Sequence, residues 1–265
     1  MVACGGQKEA KKAEENVKIT LFAAASLTGV CDELIKGYQE EHPNVEIVTS
    51  YDSSGTLMEQ IKEGAECDVF FSAATKQMDE LEGMDLIASD TRKNVVNNQV
   101  CVVTYKDSKT EVTGLKDLSK AKSIALAGGS VPVGKYTRQA MVNASMLESV
   151  EDVSTIPTTD ISKALGGVEI NECANVSAVV SAVAEGSNEV GTVYKSDTYG
   201  KEDQVDILEV VSYDLTGNVI YPIAQVNNEE ADDARIAATK DFIDYMTSDD
   251  AKKVYEKYYF DTDVE

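Results

Sequence analysis

Residues 17–38 constrain this chain more than any other stretch. Residues 17–22 read as a β-strand that ends in Ala23, Ala24, Ala25 and Ser26. Apolar residues then recur at Leu27, Val30, Cys31, Leu34, Ile35 and Tyr38, the i, i+3, i+4, i+7, i+8 and i+11 positions of one α-helical face. A strand that passes through small residues straight into an amphipathic helix belongs to an α/β fold. The spacing puts Ser26 at the helix N-cap, where its hydroxyl and the first unpaired backbone N–H groups point out beyond the carboxyl end of the strand. Unpaired donors and the helix dipole both favour an anion at such a place, and the alanines allow close approach to the backbone. Taken alone, the same residues also describe an ordinary serine-capped helix.

The pattern recurs along the chain. Residues 45–48 alternate as a second strand, which runs into Ser50-Tyr51-Asp52-Ser53-Ser54-Gly55-Thr56 and a helix carrying Leu57 and Ile61 that Gly64 closes. Asp68-Val69-Phe70-Phe71-Ser72 is a continuous apolar strand of the kind buried on both faces, followed by a short helix over 75–81. Residues 95–105 read as one long strand able to leave the first domain, and 123–127 as another strand. That strand opens into Gly128-Gly129-Ser130-Val131-Pro132-Val133-Gly134 and a helix with Tyr136, Ala140 and Met141 on one face. Lys135 lacks the frame of a Walker loop. Residues 145–173 show weak periodicity. A helix begins at Asn175-Val176, with Val176, Val179, Val180 and Val183 in register, and a strand over 189–194 ends in Tyr194. Further on, 205–211 reads as a strand, 218–226 with Pro222 as a hinge or edge segment, and 229–260 as two helices. Strands alternating with helices give a parallel sheet with right-handed crossovers, and ligands of such sheets sit beyond the carboxyl ends of the strands, where these hydroxyl- and glycine-rich turns stand.

Charge and composition exclude several functions. The 265 residues carry 47 acidic and 24 basic side chains, a net charge of -23, which argues against nucleic acid as a partner. No apolar run approaches the roughly 20 residues that span a bilayer. His42, the one histidine, lies in a polar turn and is expected to be solvated, so a histidine triad or a histidine zinc site has no material. The G-x-S-x-G elbow is absent around Ser26 and Ser54, and no pair of carboxylates stands out, which disfavours an enzyme. Cys31 and Cys101 lie on apolar faces, Cys67 begins a strand and Cys173 falls in a loop; no C-x-x-C spacing joins them. Val2-Ala3-Cys4-Gly5-Gly6 resembles the end of a bacterial lipoprotein signal, in which Cys4 becomes the lipidated residue, and residues 7–16 read as a flexible tether.

Four segments, in order, resemble one family: Ala23-Ala24-Ala25-Ser26-Leu27, Asp52-Ser53-Ser54-Gly55-Thr56-Leu57, Val131-Pro132-Val133-Gly134-Lys135-Tyr136 and Gly191-Thr192-Val193-Tyr194-Lys195-Ser196-Asp197. Asp68-Val69-Phe70-Phe71-Ser72-Ala73 and Tyr221-Pro222-Ile223-Ala224 agree with them. Over 17–260 the chain is similar to the substrate-binding proteins of bacterial molybdate ABC transporters. The resemblance implies an α/β, two-lobed periplasmic-binding-protein fold of type II: mostly parallel sheets, flanking helices and a cleft between lobes. It implies a tether over 1–16, one lobe from 17–98 plus 223–265, and a second from 99–222. It implies that Ser26 and Ser54 contact a molybdate or tungstate oxyanion through hydroxyl and backbone N–H, Val133 and Val176 through backbone N–H, and Tyr194 through its phenol. No side chain coordinates the metal directly and no cofactor is needed. The implied partners are the transporter permease and, through Cys4, the membrane, for a monomeric extracytoplasmic lipoprotein.

Val133 stands where the family usually has alanine, and residues 166–174 look like an insertion. Asp52, a carboxylate beside the site, is expected to turn to solvent. No Lys or Arg occurs in 23–27, 53–56 or 130–134, so binding is expected to rest on neutral donors. Such a site favours a fully deprotonated oxyanion. A hydrogen phosphate needs an acceptor and is expected to be rejected unless Asp52 points inward, and the smaller sulfate is to be excluded by cavity size; a sulfate or phosphate receptor of the same fold is the alternative.

Overall fold

The computed structural model describes residues 16–264. Cys4 and most of the expected tether lie outside the described residues. Among those described, ten strands form two five-stranded sheets. The strands are β1 (Val17–Ala24), β2 (Val45–Asp52), β3 (Val69–Phe71), β4 (Lys93–Asn98), β5 (Val100–Tyr105), β6 (Ser123–Ala127), β7 (Glu169–Cys173), β8 (Val190–Tyr194), β9 (Val205–Val210) and β10 (Val219–Gln225). The helices are α1 (Thr28–Glu41), α2 (Ser54–Lys62), α3 (Thr75–Gly83), α4 (Pro132–Asn143), α5 (Thr158–Ala164), α6 (Val176–Ala184), α7 (Tyr213–Thr216), α8 (Asp233–Met246) and α9 (Asp249–Lys257).

The first sheet runs β2-β1-β3-β10-β4 and the second β7-β6-β8-β5-β9. In each, one strand opposes the other four: β10 is antiparallel to β3 and β4, and β5 to β8 and β9. The sheets are thus mixed but dominated by one direction, and each packs with flanking helices as an α/β lobe. The chain passes from one to the other at Gln99, between β4 and β5, and β10 brings it back.

Burial follows alternation. Along β1, Ile19, Leu21 and Ala23 pack in the cluster with Leu34, Tyr38 and Phe242 of α1 and α8, while Phe22 faces Leu57, Met58 and Ile61 of α2. Phe70 and Phe71 are both fully buried on opposite faces, the burial expected of a central parallel strand, and each contributes about 1.5–3 kcal/mol. Register then sets the site. Ala24 pairs with Asp52 and Ala23 with Phe71, so the turns after β1, β2 and β3 emerge side by side. In the second sheet Ala127 pairs with Cys173, which does the same for the turns before α4 and α6.

The structure revises several expectations. Ser26 is not an N-cap: it lies inside a 3-10 turn, Ala25–Leu27, that precedes α1. Residues 95–105 are two strands in different sheets rather than one. The weakly periodic 145–173 contains α5 and β7, and Cys173 ends β7 rather than lying in a loop. β7 is an edge strand whose residues are mostly exposed, so it carries little apolar signal. Pro222 sits in an interior strand, where a register shift at Tyr221/Pro222 accommodates its missing N–H. His42 is only half-exposed: it stacks on Tyr38 with centroids 4.2 Å apart.

Candidate functional site

The carboxyl-end turns of both sheets face one another across a tight gap of about 10 Å³, no more than the roughly 10–15 Å³ one water needs, and Ser26 also borders a wider cleft of about 530 Å³ between Thr28, Gly29 and Tyr258 on one side and Ser177, Ser181 and Tyr199 on the other. Ser26, Ser54, Val133, Val176 and Tyr194 all line the gap, together with Ala24, Ala25, Asp52, Ser53, Ala73, Val131 and Pro132. The lobes are closed over it. Lys76 of the first lobe pairs with Asp152 of the second at 3.0 Å, and Tyr199 packs on Tyr258 with centroids 4.2 Å apart.

Each wall presents donors for a local reason. The Ser53 hydroxyl caps α2 by accepting from Thr56 N–H at 3.1 Å, which leaves the N–H groups of Ser54 and Gly55 ahead of the first intrahelical acceptor. Ser54 is fully buried, and its Oγ accepts from Ala73 N–H at 2.9 Å, so its own proton is free to donate into the cavity. Asn98 Nδ2 donates to the Tyr221 hydroxyl at 3.1 Å, and that hydroxyl lies 3.0 Å from Ser26 Oγ. With its oxygen already accepting, Tyr221 can donate to Ser26 and turn the serine proton toward the cavity. Helix α4 has Val131 at its N-cap, with no side-chain cap, and Pro132 at its first position. Its next N–H groups, Val133 and Gly134, stay exposed to a guest. Asn175 caps α6 by accepting from Ala178 N–H at 3.0 Å, leaving Val176 N–H forward.

Tyr194 supplies the most informative atom. Its ring is 1% exposed and packs edge-on against Tyr221, and its buried hydroxyl has no hydrogen-bond partner. A native chain rarely leaves such a group unsatisfied without a role for it. Burial pushes its pKa well above the ordinary tyrosine value, so the phenol remains a donor at neutral pH. Behind it, Asp197 Oδ2 accepts from Tyr194 N–H at 2.8 Å, and burial raises that carboxyl to about 7.

Asp52 departs from expectation. It does not turn to solvent: Oδ1 accepts from Ser53 N–H at 2.7 Å and from Asn175 Nδ2, across the cleft, at 3.2 Å. Asn175 therefore caps α6 and ties it to the opposite lobe. Neither this tie nor the Asn98–Tyr221–Ser26 chain was readable from the sequence. Asn175 stood just ahead of a helical period, the position that would have marked it as a cap. The four described cysteines are buried and free, and no cluster of metal-ligating side chains occurs among the described residues.

Two α/β lobes whose helix N-termini and hydroxyls converge on the gap between them define a solute-binding protein. The chain belongs to the bacterial extracellular solute-binding proteins, matching that family over residues 19–261. It is 31% identical over 251 residues to the molybdate-binding protein ModA of Haemophilus influenzae, covering 92% of this chain and 90% of the relative. It is 30% identical over 261 residues to YvgL of Bacillus subtilis, described as a substrate-binding lipoprotein of an ABC transporter, covering 98% and 92%. The periplasmic molybdate-binding protein of Azotobacter vinelandii shares the fold, with a TM-score of 0.74 at 18% identity over 91% of this chain and 98% of that one. The phosphate-binding protein PstS of Bacillus subtilis matches at 25% identity over 95% of this chain and 85% of its own. The chain is therefore an ABC-type, extracytoplasmic solute-binding protein, and like these relatives it is a transport component and not an enzyme.

Proposed function

We propose that this protein captures molybdate or tungstate between its lobes and delivers it to the permease of an ABC transporter. Ser26 and Ser54 contact the oxyanion through hydroxyl and backbone N–H, Val133 and Val176 through backbone N–H, and Tyr194 through its phenol. The metal's own oxygens meet these donors, so no protein atom coordinates it and no cofactor takes part. The observation that carries the reading is the buried, unpartnered Tyr194 hydroxyl beside a tight gap lined by residues of both lobes. Hydrogen bonds to a charged guest contribute about 1.5–3 kcal/mol each, enough together for roughly micromolar to nanomolar affinity after ordering costs. Because both lobes supply donors, the guest favours the closed state over an open one. The lobes comprise 17–98 with 223–265, and 99–222, so that the second crossing falls within β10. The mature protein is a monomer anchored through lipid on Cys4, and it has no nucleic-acid partner.

Asp52 favours a second reading. A carboxylate on the cavity wall is an acceptor that a protonated anion such as hydrogen phosphate can use and molybdate cannot. Calorimetric titration with molybdate, tungstate, sulfate and phosphate separates the two. Heat from molybdate and tungstate with none from phosphate is the expected result; the reverse overturns the proposal.

A further inference from the structure

Arg138 is the group the binding site does not explain. It lies on α4, is 1% exposed, and ranks among the largest fully buried side chains. Its Nη1 donates to Ala127 O and to Gly134 O, both at 2.9 Å, and its Nε to Ile156 O at 2.8 Å. All three acceptors are neutral carbonyls. Among the described residues no carboxylate forms an ion pair with it. The carboxylate that acts on it through space is Glu172, which is exposed and accepts from the Thr158 hydroxyl at 2.8 Å. A buried charge is ordinarily paired, because desolvating it alone is costly and carbonyl dipoles offset only part of that cost.

The three carbonyls locate the charge. Ala127 ends β6, Gly134 is the residue after Val133 in the first turn of α4, and Ile156 follows the turn that carries Asp152 and Ser154. The guanidinium thus ties the strand end, the helix start and a cleft-rim loop together, directly behind the N–H groups that α4 offers to the cavity. Gly134 makes the fit close: a Cβ there would collide with the carbonyl oxygens of Gly128 and Ala127.

We propose that Arg138 is the buried counter-charge of the anion site, a positioning residue that holds the second-lobe turn in shape and makes the site prefer doubly over singly charged tetrahedral guests. The inference rests on the oxyanion reading above. It explains how a chain of net charge -23, with no Lys or Arg in the turns that line the site, binds a dianion at all. At a separation on the order of 10 Å and an effective dielectric near 20, a unit charge changes affinity by about tenfold for each charge on the guest.

The test compares tungstate, a dianion, with perrhenate, a monoanion of like shape, by calorimetry on the wild-type chain and on Arg138→Gln and Arg138→Lys. The neutral variant is expected to lower the tungstate-to-perrhenate affinity ratio by about tenfold. The lysine variant is expected to keep the ratio while melting at lower temperature, since it retains the charge but not the three-way fork. Equal loss for both anions in Arg138→Gln would make Arg138 a scaffold residue only and overturn the inference. Should neither variant fold, the wild-type ratio in 1 M salt decides. A buried cation is not screened, so the preference for tungstate persists; its collapse to parity overturns the counter-charge. A wild-type chain that binds neither anion overturns the proposed function, and this inference with it.

Discussion

Replacing Tyr194 by phenylalanine moves two measurable quantities in opposite directions. The hydroxyl is buried and unpartnered with the lobes closed, so it costs the closed arrangement without a guest the desolvation of one polar group, about 1–3 kcal/mol. Phenylalanine keeps the ring against Tyr221 and removes that cost. The ligand-free variant should therefore melt higher, by about 2–4 °C for each kcal/mol recovered in a chain of this size. With the oxyanion bound, the same hydroxyl donates to a charged oxygen, a contact of about 1.5–3 kcal/mol. Its loss should weaken binding by about 10- to 150-fold. Thermal melts with and without molybdate, with calorimetric titration of both proteins, read the two effects separately. A purely structural tyrosine would lower the melt and leave affinity alone. A melt that falls, or an affinity that stays within twofold, refutes the assignment of this phenol to the guest.

Asn175→Ala removes both the α6 cap and the donor to Asp52, so it should cost about 1 kcal/mol of stability and also weaken molybdate binding; a scattering measurement should show a more open ligand-free average. Asp52→Asn takes a negative charge off the cavity wall and should tighten molybdate by about tenfold in titration, whereas a hydrogen-phosphate receptor would lose its acceptor and bind phosphate more weakly. Gly134→Ala drives a methyl into two carbonyl oxygens and should destabilise by about 1–3 kcal/mol or more, seen as a lower denaturation midpoint. Asp197 sets a pH dependence. Its carboxyl is raised by burial from 3.8 to about 7, so the folded state holds the proton more tightly than the unfolded one. Its contribution is fully present below about pH 4 and is lost as pH rises toward 7. Melts of wild type minus Asp197→Asn across pH 4–8 should fall through that window, and dianion affinity should fall in parallel as the charge appears behind Tyr194.

What the sequence disclosed, and what it withheld, follows from the range of the interactions. The strand-to-helix units at 17–41, 45–62 and 123–143 were legible because their burial repeats with the period of the element itself. The hydroxyl- and glycine-rich turns after β1, β2 and β6 were legible because parallel strands place their carboxyl ends together whatever the side chains are, whereas Ser26, Ser54, Val133, Val176 and Tyr194 were singled out only through the family resemblance. The edge strand β7 was not legible, since an exposed strand has no apolar period to show. Pro222 read as an edge signal, but tertiary pairing with β3 and β4 outweighed the one hydrogen bond that proline cannot make. Ser26 looked like a cap because local sequence cannot distinguish the first turn of an α-helix from a 3-10 turn leading into one. Asp52 and Arg138 were misread or missed for a stricter reason. What they do depends on partners 123 and up to 18 residues away, Asn175 for the one and Ile156 for the other.

Those two residues also show how an acidic protein manages an anionic guest. Salt screens the distant surface charge over about 8 Å, so the field that matters comes from groups facing the cavity. There the balance is local: hydroxyls and N–H groups aimed inward, one carboxylate held by two donors, and one buried cation behind α4. Asn175 couples this balance to closure, because the amide that quiets Asp52 comes from the opposite lobe. When the lobes part, Asp52 loses that amide and keeps only Ser53 N–H, and the donors of α4 and α6 leave the guest. Opening then raises the electrostatic cost of holding the anion at the moment its contacts are withdrawn. Release at a transporter needs no separate device, only a partner that prefers the open arrangement.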